Sequence, residues 1–407
     1  NLKTSFTGKD LLYTRLRAGN YKGSAFGGSP YSLGALDRAF PGNNNSGTAS
    51  GNNTFYLDRL YYRWPLTKTL TAAVGPQARN TEFLGTAPFY YTDHAGLDYF
   101  QLHGAPGTYN KATGGTFALI WKQPVAKGKP YFTVSTSLVS PASFSGDAQG
   151  TTTDSGTNVS ANASGILNNT SADSWLTQIA YVKSQWKAAF AWRYGKCGGD
   201  AGTVNRRGTQ AAVAAEVCSN TFGNDAGSYN NNFALSWAWQ PKTTGTIVPS
   251  LSLGYGYSAY AQPSISAATG NTYGALGSWN QAQSRDYPGV GNIAATQSWT
   301  VATQWSDAFK KGNSAGMAVG QPSFVTALRN GQTPQDGNYA WEWWYKFKVS
   351  DQISLTPTIF YLSNPSSTGL PANGRAGIAQ GNQGTNAMGQ ATGNNVFGAF
   401  VAAQFKF

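Results

Sequence analysis

The sequence predicts an all-β chain, a transmembrane antiparallel β-barrel of 14 strands with 16 as the alternative, on three observations. Apolar residues recur at every second position through a series of paired runs. Each pair is joined by a short turn on one side and separated from the next pair by a long polar stretch on the other. Charge is confined to one of the two faces that the alternation defines. Residues 1–407 read as one such domain.

The opening strand lies near 9–20. Six hairpins follow, beginning with LYYRWPLTKTLTAAVGPQAR (60–79) and FALIWKQPVAKGKPYFTVSTSLV (117–139). The third sets Trp175, Thr177, Ile179 and Tyr181 beside Trp186, Ala188, Phe190, Trp192 and Tyr194. In the fourth, Phe233, Leu235, Trp237 and Trp239 face Ile247, Leu251, Leu253, Tyr255 and Tyr257. The fifth pairs Trp299, Val301, Thr303 and Trp305 with Ala315, Met317 and Val319. The sixth, YAWEWWYKFKVSDQISLTPTIFYL (339–362), turns near Ser350 and Asp351, and Pro357 implies a bulge or a weak ladder position. Sixteen strands result if LDYFQLH (97–103) or SFVTALR (323–329) also spans.

The chain ends on FGAFVAAQFKF, with Phe397, Ala399, Val401, Ala403, Phe405 and Phe407 on one face. Successive side chains of a strand point to opposite sides, so the other face carries Gly398, Phe400, Ala402, Gln404 and Lys406. At an open sheet edge such a strand is a pairing hazard. An even strand number places both chain ends at the short-turn rim, where the first strand can pair with the last and Phe407 closes the barrel. Loops as long as 21–53, 80–114, 140–173, 195–230, 258–296, 323–338 and 363–395 are uncommon in compact soluble domains. Lying always at the same rim, they are read as extracellular and the short turns as periplasmic, in an outer membrane.

Charged residues make up 11% of the chain, where about 25% is usual. Glycine, asparagine, serine and threonine supply polarity instead, and aromatics reach 14%. No window approaches the roughly 18 apolar residues of a spanning helix, whereas a spanning strand needs only about 9 to 11. The net charge of +12 is spread singly, without a block of like charges, which argues for a solvated surface or polar lumen and against nucleic acid.

The faces opposite the aromatics carry Arg15, Arg17, Arg59, Arg63, Arg79, Lys122, Lys187, Arg193, Lys346 and Lys348, with Glu342. A lysine or arginine at the bilayer midplane costs about 2–4 kcal/mol, so lipid enforces this segregation. These residues are the expected pore lining. Asp58 is the exception, on the face of Leu60, Tyr62 and Trp64, either above the bilayer or beside a bulge. Five of the arginines come from three successive strands and form a positive wall, which favours anions over cations. The alternative is that they pair with acids of an inward-folded loop, for which Glu82, Asp93 and Asp98 are the candidates. Segment 80–114, rich in aromatics and acids, is the candidate constriction loop, or else an outer loop packing on neighbouring subunits.

Cys197 and Cys218 suit a loop disulfide in an oxidising compartment. With only His94 and His103 beside them they make a poor zinc set, and no metal or cofactor is expected. Asp93 beside His94 is not a triad, no nucleophile elbow or phosphate loop appears, and no catalytic residue is assigned. GNDAGSYNNN (223–232) lacks the acidic spacing of a calcium loop. The chain opens on Asn1 with no charged-then-apolar leader and reads as processed or as part of a longer protein.

SFTGKDLLYTRLRAGN (5–20), LDRLYYRWPL (57–66) and the terminal FVAAQFKF resemble the porins of cyanobacterial outer membranes, distantly related to carbohydrate-selective porins. The resemblance implies a homotrimeric diffusion channel that passes inorganic ions and small solutes, with a last strand read by the outer-membrane assembly machinery. It covers the barrel, and not the N-terminal surface-layer-homology domain typical of that family. Two rival readings stand beside it, a plugged barrel with adhesive or binding loops and an outer-membrane hydrolase.

Overall fold

Among the described residues, period-two patterning builds one antiparallel meander of fifteen strands in chain order. They are β1 (Leu2–Thr4), β2 (Leu11–Arg17), β3 (Tyr56–Pro65), β4 (Leu70–Arg79), β5 (Thr113–Lys122), β6 (Tyr131–Ser140), β7 (Ser174–Val182) and β8 (Trp186–Lys196). The second half comprises β9 (Tyr229–Trp239), β10 (Ser250–Ala261), β11 (Ile293–Ser306), β12 (Ser314–Leu328), β13 (Ala340–Lys348), β14 (Ile353–Leu362) and β15 (Val396–Phe405). The computed structural model describes residues 1–21, 24–27, 32–38, 55–91, 96–141, 143, 165–167, 171, 173–196, 207–209, 212, 229–261, 293–328, 333–334, 336–365 and 395–406.

The two faces are sorted opposite to a water-soluble sheet. On β9, Phe233, Leu235 and Trp237 are exposed while Ala234, Ser236 and Ala238 are buried; on β8, Phe190 is exposed between buried Ala189 and Ala191. Large apolar side chains on β4 to β7, β10 and β13 to β15 repeat the pattern, with Val74, Phe117, Phe132, Ile179, Tyr255, Trp343, Ile359 and Val401 all exposed. A soluble monomer rarely exposes an apolar patch beyond a few hundred Å². A continuous oily belt outside small and polar residues is the arrangement of a sheet solvated by hydrocarbon.

Register follows the alternation closely. Trp341 pairs with Tyr361 and Trp343 with Ile359, Trp175 with Tyr194 and Ile179 with Phe190. At Pro357 the β13–β14 ladder is interrupted, running to Trp344–Thr358 and resuming at Phe347–Leu355 in unchanged register, so the proline marks a weak ladder position without a bulge. Asp58 is a bulge. Arg15 pairs with Arg59 but Leu16 pairs with Leu57, so Asp58 is the extra residue, and Asp58 and Arg59 are both buried.

The fourteen expected strands are β2 to β15, and Leu2–Thr4 adds a short strand on β2, too brief to alternate visibly, for fifteen among the described residues. Two expectations are corrected. Neither proposed extra strand exists: Asp98–Leu102 is a 3-10 turn, and 323–328 is the continuation of β12. The expected ladder between first and last strands is absent among the described residues, where β15 pairs with β14. Two consecutive residues outside the strands reach both ends of the sheet. Arg17 of β2 donates to Asp37 O at 3.4 Å and Arg38 donates to Gln404 of β15 at 3.3 Å. Phe407 lies outside the described residues.

Between β1 and β2, Asp10 accepts from Ser5 Oγ, Thr7 N, Thr7 Oγ1 and Tyr62 Oη at 2.6–2.8 Å. These bonds, chiefly that of the Thr7 side chain, hold its carboxyl well below the usual range and pin the chain start to β3.

Candidate functional site

Small inward residues leave room inside the barrel, and segment 80–112 fills part of it. Phe89, Leu97, Tyr99, Phe100, Leu102 and Tyr109 of this segment are fully buried. Its backbone lies directly on the wall where glycine allows it. A Cβ on Gly254 would collide with His103 O, and one on Gly256 would stand 2.7 Å from Ala105 Cα.

Polar side chains of the wall satisfy the segment's backbone, as burial requires. Ser252 Oγ accepts from Tyr90 N at 3.0 Å, Ser298 Oγ donates to Gly104 O at 2.9 Å, and Lys187 Nζ donates to Phe89 O at 2.9 Å. Arg193 reaches Gly107 O and, at 3.0 Å, Asn230 Oδ1. Tyr99 Oη lies 2.6 Å from Trp299 O, and Tyr109 donates to Gln178 at 2.9 Å. On β13, Glu342 accepts from Tyr91 Oη and, at 2.6 Å, from Leu97 N, while Trp344 Nε1 donates to Tyr91 Oη at 2.7 Å. Residues 24–27 and 32–38 also lie inward, bridging to the first segment through Leu36–Leu97 and packing Phe26 against Phe360 and Phe400.

On the opposite wall the charges are dense. Asp58 pairs with Arg15 and with Arg59, at 3.0 Å for the latter, and lies 4.0 Å from Arg17. Arg59 also pairs with Glu82 at 3.1 Å, and Glu82 accepts from Arg79 N at 3.3 Å. Burial outweighs the nearby Arg59 and Arg15 and lifts the Glu82 carboxyl above its ordinary value. Arg59 is 1% exposed, whereas the side chains of Arg15 and Arg17 keep 24% and 23% of their surface in contact with solvent.

The sequence-derived lining therefore divides into three sets. Arg15, Arg17, Arg59 and Arg63 share one wall, on β2 and β3, whereas Arg79, beyond a bulge between Gly75 and Ala78, pairs with Thr113 on the face opposite Ala78, a correction to the expected lining. Lys187, Arg193 and Glu342 are buried anchors of segment 80–112. The exposed Lys122 and Lys348 end their strands at the short-turn rim, Lys122 with Nζ 4.2 Å from the Tyr131 ring centre and Lys348 with Nζ 2.6 Å from Asp351; Lys346 lies one turn of alternation further in.

Among the acids, Glu82 meets the arginine wall but Asp98 does not. Asp98 pairs with Lys111 and, at 2.8 Å, with Arg207, and Lys111 also reaches Asp37 at 2.7 Å. Lys111, Asp37 and Arg207 escape sequence reasoning because they come from three separate loops with no shared local pattern. Asp93, His94, Cys197 and Cys218 lie outside the described residues.

His103 sits in a left-handed backbone conformation (φ 54°) against the rings of Phe89 and Tyr109. Burial, with Lys187 and Lys111 nearby, pushes its imidazole down to about 3. The unfolded chain then binds more protons than the folded one between its ordinary value of 6.5 and about 3, so stability falls as pH drops through that window. The urea midpoint in detergent should fall with acidification over that range, and His103→Gln should flatten the fall.

No family model matches the chain. Over 373 residues it is 24% identical to an uncharacterized protein of Nostoc sp., covering 89% of this chain and 56% of that protein. An uncharacterized protein of Synechocystis sp. is 26% identical over 378 residues, 90% of this chain and 59% of its own length. The chain thus spans under three fifths of the length of the curated relatives it matches. Among solved structures, the high-pH form of Pseudomonas putida OprB aligns with a TM-score of 0.42 and 12% identity, covering 78% of this chain and 70% of that one.

Proposed function

We propose that the chain is an outer-membrane porin, giving passive diffusion of inorganic ions and small hydrophilic solutes through a water-filled, basic-lined lumen narrowed by residues 24–27 and 32–38 and by segment 80–112. The observation that carries this reading is the inverted sorting of the sheet, oily outside and polar within, around segments tied to the inner wall. Long loops face the cell exterior and the termini the periplasm. Homotrimeric assembly, recognition of the last strand by the assembly machinery and a Cys197–Cys218 disulfide belong to the same reading, as does the absence of catalysis.

The tight burial of segment 80–112 also favours a second reading, a plugged barrel whose loops bind or adhere. Single-channel recording in a planar bilayer separates the two, since a porin gives discrete ohmic steps and a plugged barrel leaves the membrane silent. A hydrolase acting through His94 would lose turnover on its replacement, whereas a porin keeps its conductance.

The surplus of arginine over carboxylate on the β2–β3 wall lowers the barrier to anions. In a potassium chloride gradient the reversal potential should show chloride passing more readily than potassium, and Arg17→Gln with Arg63→Gln should shift it towards the cation. An unchanged potential would remove the arginine wall from the account. Arg59 is unsuited to this test, because losing it takes from half-buried Glu82 its arginine partner and from buried Asp58 one of several.

A further inference from the structure

The arginine wall contains donors that its own carboxylates do not fill. Arg15 Nη2 and Arg59 Nη2 are each buried and without a hydrogen-bond partner among the described residues. A buried, unmatched N–H costs free energy, and on a guanidinium more than on a neutral group. Both belong to residues gathered round one pair of acids. Arg15 and Arg59 are direct cross-strand partners that share Asp58. Glu82 holds the Arg59 guanidinium by one oxygen and the Arg79 backbone by the other. With Arg17 beside Asp58, the cluster has three guanidiniums to two carboxylates. It is reachable from solvent on the side of Arg15 and Arg17.

Planar guanidinium forks match the oxygen geometry of tetrahedral oxyanions, and an anion would balance the surplus. We propose that Arg15 and Arg59 form an oxyanion subsite of the lumen, selective for a small tetrahedral oxyanion such as sulfate or hydrogen phosphate over chloride. The subsite rests on the porin reading for its access route. It goes beyond a general preference for anions, because it demands saturable binding and a fork rather than charge alone.

The test uses the full chain in phospholipid-free detergent, titrated with sodium sulfate by calorimetry, and the same protein in a planar bilayer carrying chloride current. One sulfate per chain should bind saturably, and sulfate should reduce the chloride current over the same concentration range. Arg15→Gln should weaken both about tenfold or more, the loss of a charge-assisted bond. Arg15→Lys keeps the charge but not the fork and should recover only part of the affinity. Lys127→Gln, in an exposed turn, should change neither.

Competition by inorganic phosphate, and not by a short-chain phospholipid, identifies the aqueous solute as the occupant; competition by the phospholipid alone overturns the proposal. Absence of saturable sulfate binding, or binding equally strong in Arg15→Gln, also overturns it. Full recovery by Arg15→Lys reduces the cluster to undirected charge and overturns it as well. A silent bilayer with intact sulfate binding would defeat the porin reading and leave the subsite standing. Normal channel steps without binding would do the reverse.

Discussion

Replacing Glu342 with alanine should raise the single-channel conductance and add open-channel noise. Glu342 is 1% exposed, and its carboxylate is the only wall group seen to hold Leu97 N and Tyr91 Oη together among the described residues. Removing it leaves two buried donors unmatched, at about 1–3 kcal/mol each. A buried segment placed under that cost relaxes at the joint it has lost, here at Tyr91 and Leu97. Gly96→Ala attacks the same joint from the other side, because its Cβ would collide with the Glu342 carboxylate. The two variants should share a phenotype, and the anchors at Tyr99, Gly107 and Tyr109 should keep the rest of the segment in place. Conductance identical to the parent in both would mean that the segment does not narrow the path.

Introducing arginine at Leu235 should destabilise the barrel by about 2–4 kcal/mol in a bilayer, and introducing it at Tyr229 by about 0–1 kcal/mol. Both residues face outward on β9, Leu235 at mid-strand with 58% exposure and Tyr229 at its end with 38%. In water an exposed surface position changes stability within about 0.5 kcal/mol whatever its place along the strand. A dependence on depth is therefore a property of the solvent. Equal, small effects at both positions, read from unfolding in lipid vesicles, would contradict a hydrocarbon surround.

The outward face was legible in the sequence because a strand's period is two and lipid tolerates no charge there, which makes Trp341, Trp343 and Phe347 unambiguous. Hairpins were legible for a related reason, since turns such as 349–353 are short and interrupt two matched runs. Asp58 could not be assigned, because a bulge reverses the face of every residue on one side of it and leaves no compositional trace. The partner of Asp98 was hidden for a different reason. Lys111 reaches it from a left-handed conformation (φ 58°), and Arg207 reaches it from a loop more than one hundred residues away. Sequence shows that a long loop is rich in acids and aromatics; which wall residue meets which acid depends on how the loop crosses the interior. The same distinction separates Lys187, Arg193 and Glu342, all on inward faces, from a water-lined surface: each is consumed in holding backbone.

The inside-out sorting of the sheet is tested most directly by quenching tryptophan fluorescence with brominated phospholipids. Trp237 and Trp343 are outward and 37% and 38% exposed, whereas Trp344, the immediate neighbour of Trp343, is 3% exposed and bonded to Tyr91. Trp237→Phe and Trp343→Phe should each lower the lipid-quenchable fraction of the emission, and Trp344→Phe should leave it unchanged. Quenching that vanishes with Trp344, or that is insensitive to both outward tryptophans, would contradict the account.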